Sequence, residues 1–152
     1  MEGYFRPKLS RRAVRGDRDD RAVEYRFEFS AEPPFVTVTA TGEGDSATIV
    51  RLNRELAADP RVRPRLPILT DLTALDTRAL TGSAMSGVGR SFRRFLDEAG
   101  GSPIAIVVSS PAAFGVVRMG ESYAGGPDPG LQRIFYSLAE ATSWLLAREA
   151  AA

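Results

Sequence analysis

The chain contains no cysteine and no histidine. Without cysteine, a disulfide framework, a zinc–thiolate site and a thiol nucleophile are all excluded. Without histidine, the commonest general base and the commonest metal ligand are missing together, so a Ser-His-Asp triad is ruled out by composition. Long apolar runs are also missing, and none approaches the roughly 18 residues of a membrane span. The first residues, Met-Glu-Gly-Tyr-Phe-Arg-Pro-Lys, hold no apolar core of signal-peptide length. No G-K-[ST] segment exists, so a phosphate-cradling P-loop is absent. These absences lead to the expectation of a cytoplasmic protein that binds rather than catalyses, with no cofactor and no metal.

The 152 residues, 43% of them hydrophobic, suit one domain with a real core. Net charge is only +1 but unevenly spread. Residues 1–21 hold seven basic groups against four acids, and the remainder holds 13 against 15. No aromatic stacking platform accompanies the basic arm and acids interrupt it. It reads as a disordered, solvated extension, and nucleic acid is not the expected partner. Nineteen of the 20 basic residues are arginine. The domain itself is expected over residues 22–149.

Three short apolar runs organise the second half: Leu66–Asp71, Ile104–Val108 and Leu131–Tyr136. Each precedes a segment of helical spacing, the pattern of βα units on a sheet covered on both faces. Before them, Val23, Tyr25, Phe27 and Phe29 alternate with Glu24, Arg26 and Glu28, a half-buried strand. Residues 35–41 form a second strand rich in β-branched side chains. Pro33 and Pro34 argue against a two-residue primed turn between the two. Asp45 or Ser46 caps a first helix carrying Ile49, Leu52 and Leu56. The second helix, from Thr81 or Ser83, carries Met85, Val88, Phe92, Phe95 and Ala99 inward, with Arg90, Arg93, Arg94 and Asp97 outward. Ser110-Pro111 opens a third, with Ala113, Val117 and Ala124 on one face. Ser137-Leu-Ala-Glu140 is a capping box for the last, with Leu138, Ala141 and Leu145 inward and Trp144 beside them. The fold class is therefore α/β, a mixed and mainly parallel sheet of about five strands with about four helices, in the order ββαβαβαβα.

The residues that carry chemistry are few. Gly87-Val-Gly89 lacks the third glycine of a dinucleotide loop, and close packing explains Gly82, Gly87 and Gly89 better. Asp71 and Asp76 stand near the carboxyl edge of a strand, where two acids can hold magnesium, but turn and cap roles are commoner there. Arg61, Arg63 and Arg65 interleave with Val62 and Pro64 and read as an exposed loop. Arg118 has Glu121 three residues on, which fits an exposed ion pair. The sharper alternative is a buried functional arginine.

Leu69-Thr-Asp-Leu72, Ile104–Ser109, Phe114-Gly-Val-Val-Arg-Met119 and the ending Arg133–Leu145, with its aromatic–x–Ser–x–x–Glu–Ala–x–x–Trp-Leu pattern, resemble the SpoIIAA-like proteins. These small bacterial domains are related in fold to STAS domains and to the lipid-carrying CRAL-TRIO fold. The resemblance covers residues 23–147 and implies a SpoIIAA/STAS-like fold. It also implies a non-enzymatic regulatory or ligand-binding role, with an apolar small molecule such as a lipid or a regulatory protein as partner. A homodimer is compatible with it. The expected ligand-binding set is Met85, Val88, Phe92, Phe95, Val117, Arg118, Met119 and Tyr123, with Arg118 meeting an acidic head group. The alternative is a phosphorylation-controlled anti-sigma-factor antagonist. Antagonists of that kind carry an Asp-Ser-Ser/Ala-Gly segment, from which residues 71–83 depart. Thr77, Thr81 and Ser83 are the hydroxyls left to take the phosphate.

Overall fold

The computed structural model describes residues 8–10 and 22–151. In chain order its elements are β1 (Lys8–Ser10), β2 (Glu24–Ala31), β3 (Pro34–Glu43), α1 (Ser46–Ala58), β4 (Ile68–Asp71), β5 (Leu75–Asp76), α2 (Gly82–Ala99), β6 (Ile104–Val107), α3 (Pro111–Tyr123), β7 (Gln132–Phe135) and α4 (Leu138–Ala151). The sheet order is β1-β2-β3-β4-β6-β7, with β5 beside β3. β1 and β2 pair antiparallel, as do β2 and β3. All pairs from β3 onward are parallel, so the sheet is mixed and mainly parallel. No helix among the described residues is long and apolar enough to cross a membrane.

Two strands exceed the pattern read from the sequence. β5 has two residues and continues the edge that β4 leaves, pairing Gly42 with Leu75. β1 pairs Leu9 with Glu28 on the outer edge of β2. The other residues of the basic arm lie outside the described residues. The connection between β2 and β3 is a hairpin without a primed turn, as Pro33 and Pro34 require. Ala31 faces Pro34 across a two-residue loop, Glu32-Pro33, joined by a cis peptide. A cis proline at the second central position makes a type VI turn, which needs no primed geometry.

The sheet separates two layers. On one face α1, α2 and α3 cover a core built on Tyr25, Phe27, Val36, Val38, Ile68, Ile104 and Ile106. On the other, α4 covers Leu69, Ala105, Val107 and Phe135 with Ala141, Leu145 and the half-buried Trp144. β6 is therefore buried at every residue, which its continuous Ile-Ala-Ile-Val run requires. The starts of α1, α3 and α4 are capped by the side chains their sequences offer. Asp45 Oδ1 accepts the Thr48 N–H at 2.8 Å, Ser110 Oγ that of Ala113 at 3.1 Å, and Ser137 Oγ that of Glu140 at 3.2 Å. Leu138 was expected to face inward and instead is 47% exposed. It stands in the first turn of α4, past the end of β7, before the helix meets the strands.

Candidate functional site

The inward stripes of α1, α2 and α3 do not close completely over the sheet. They leave an apolar cavity of about 120 Å³, floored by Val38, Ile68, Ile104 and Ile106 and walled by Leu52, Leu56, Met85, Val88, Phe92, Phe95 and Val117. Two glycines let the helices come close enough to enclose it. A Cβ on Gly120 would stand 3.2 Å from Met85 Cε, and one on Gly89 would stand 2.9 Å from the Gly120 carbonyl oxygen. Asn53 of α1 ties the roof together. Its amide donates to Ser91 Oγ at 2.9 Å, and Ser91 donates in turn to the Val88 carbonyl at 2.8 Å. The Phe92 and Phe95 rings stack at 6.4 Å.

Met85, Val88, Phe92, Phe95 and Val117 thus meet at one cavity. The other three sequence-chosen residues do not line it. Met119 is half-buried against the core beside it. The Tyr123 side chain packs against Gly89, with the residue 47% exposed. Arg118 does not line the cavity either. Its side chain is 51% exposed, and its guanidinium carbon lies 5.3 Å from the centre of the Phe114 ring.

The acidic group on the cavity wall is Glu121, only 2% exposed. Arg118 Nη1 reaches Glu121 Oε1 at 3.5 Å, a long contact from a solvated partner. Burial pushes the Glu121 carboxyl above its ordinary value, and the charge of Arg118 only partly opposes it. The ion pair read as exposed is thus buried at its acidic end. A carboxyl held toward its neutral form in an apolar wall can both donate and accept a hydrogen bond.

Thr77 also lines the cavity. Thr81 is exposed at the N-cap position of α2, and its side chain makes no capping hydrogen bond. Ser83 is exposed in the first turn of the same helix. Asp71 and Asp76 are occupied by their own loops. Asp71 Oδ1 accepts from the Thr73 N–H and hydroxyl at 3.0 and 2.6 Å. Hydrogen bonds from the Arg78 side chain hold the Asp76 carboxyl at about 2. Among the described residues no three acids cluster as metal ligands do.

No family model and no curated protein matches the chain. Among solved structures it is similar to an uncharacterized DUF3478-family protein with a SpoIIAA-like fold from Shewanella loihica PV-4. The TM-score is 0.51 at 17% identity, covering 86% of this chain and 99% of that one. That likeness shows the fold alone.

Proposed function

On this SpoIIAA-like fold, we propose that the domain is a non-catalytic binding module that takes a small apolar molecule between its helical layer and its sheet. The observation that carries the reading is the apolar cavity with one buried carboxyl, Glu121, on its wall. Solid packing would account for the same helical stripes, but it leaves no reason for an acid at the core edge of α3. Ligand sites are mostly apolar with a few placed polar groups, and this arrangement fits that description. Cavities of about 150 Å³ take a benzene-sized molecule, whereas pockets for larger ligands span roughly 300–1,000 Å³. The cavity at about 120 Å³ therefore suits a compact ring or short chain. A fatty-acid chain requires α2 and α3 to part. The matching ligand carries one hydroxyl, carbonyl or amine for Glu121. Titration calorimetry with indole and with a fluorescent fatty acid tests both sizes. Saturation at one site, abolished by Val117→Phe, is expected for indole. No saturable binding by either probe rejects the reading.

The alternative, a phosphorylation-controlled protein-binding switch, is favoured by one observation. Thr81 and Ser83 are exposed at the start of α2, where free backbone N–H groups and the positive end of the helix stabilise a phosphate. Mass spectrometry of protein from its native host decides: phosphate on either hydroxyl supports the switch.

A further inference from the structure

A second concavity lies at the opposite end of the parallel strands from Asp71. It has a volume of about 610 Å³ and is bounded by the segments that lead into β3, β4, β6 and β7. Three arginines line it, Arg63, Arg65 and Arg148, together with apolar groups that include Pro64, Pro103 and Leu131. No acidic side chain is among its lining residues. We propose that this cleft binds a small phosphate ester, with the arginines taking the phosphate and the proline–leucine wall taking the organic part.

Three observations support it. The first is the set of charges. Arg61, in the same loop, is paired with Asp59 at 2.8 Å, whereas Arg63, Arg65 and Arg148 have no carboxylate partner among the described residues. Three unpaired guanidinium groups around one hollow give several forked donors suited to phosphate oxygens. The second is Arg148. Its guanidinium carbon sits 4.2 Å from the Trp144 ring centre, which orients it, and its Nε is shut off from solvent without an acceptor. The ring fixes the guanidinium on the cleft wall, so its terminal N–H donors are oriented before a ligand arrives. The third is Arg65, which holds a left-handed backbone with φ 67°. That backbone turns its N–H onto the Ala99 and Gly100 carbonyls and leaves its guanidinium on the cleft wall.

Basic residues near helix C-termini often just neutralise the dipole. That explanation applies to Arg148, in the last turn of α4, but not to the loop arginines after α2. The carbonyls that end α2 are taken by main-chain groups: Gly100 N–H donates to Leu96, and Arg65 N–H to Ala99 and Gly100. The Arg65 guanidinium is left over.

Calorimetry on the full chain at low salt, with phenyl phosphate, inorganic phosphate and phenol, tests the proposal. Phenyl phosphate is expected to saturate one site, inorganic phosphate to bind more weakly, and phenol not to bind. Arg63→Gln and Arg148→Gln should each weaken phenyl phosphate by on the order of tenfold, the loss of one charge-assisted bond. Arg65→Gly should do the same while raising the melting temperature, because glycine accepts the left-handed backbone. Arg94→Gln, on the exposed face of α2, should change nothing. Binding that none of the three cleft variants weakens, or no saturable binding, overturns the proposal. So does binding only to phosphatidic acid vesicles, which would make the cleft a lipid-headgroup surface.

Discussion

Gly89 on α2 sits directly against Tyr123 on α3, so closely that a Cβ added at Gly89 would overlap the Tyr123 Cβ. The glycine is a packing requirement and not a hinge. Gly89→Ala should cost about 1–3 kcal/mol, the usual penalty of overpacking a closed interface. Gly87, two residues earlier, has only the Arg90 guanidinium within reach, at 3.9 Å. Gly87→Ala should instead stabilise by up to about 1 kcal/mol through helix propensity. Urea denaturation of the two variants separates the cases.

The buried carboxyl gives a pH signature. Glu121 has a folded pKa above its ordinary 4.5 because burial disfavours its charge. Its stabilising contribution is complete below the unfolded pKa and is lost as pH rises through the folded one. Glu121→Gln removes that loss. The variant should unfold at higher urea than the parent near neutral pH, and the difference should close below about pH 4.5. A gap that widens on acidification would mean the carboxylate is stabilised as an ion.

Trp144 lies 5.7 Å, ring to ring, from Phe135 and supports Arg148. Because it is half-buried, Trp144→Ala should cost about 3 kcal/mol, the low end for a large aromatic. It should also weaken phenyl phosphate binding, since Arg148 loses the surface that orients it. Phe135→Ala should cost more stability with less effect on binding. Denaturation and calorimetry on the same two proteins check both.

The parallel strands and four helices were legible because each rests on a continuous run or an unbroken stripe. Met85, Val88, Phe95 and Ala99 are buried while Arg90, Arg93, Arg94 and Asp97 are exposed, as the spacing required. β1 and β5, at three and two residues, are too short to show a period. Glu121 had a readable signal: it falls four residues after Val117 and three before Ala124, on the face read as inward. Arg118 nearby suggested a surface pair and masked it. The arginine cleft was not legible. Arg63 and Arg65 looked like a solvated loop, and only the fold brings Arg148 to them.

The sheet is a partition as well as a scaffold. Among the described residues, six buried apolar side chains lie on the α4 side against 21 on the other, and the two sets are separated by strand backbone. A helix held by so small a share of the core can detach while the larger one stays intact. In native-state hydrogen exchange, the α4 amides should therefore exchange through a local opening of low denaturant dependence. The amides of α2 should exchange only when the whole chain unfolds. Arg148 rides on α4, so each such opening would dismantle the arginine cleft while leaving the cavity beside Glu121 shut.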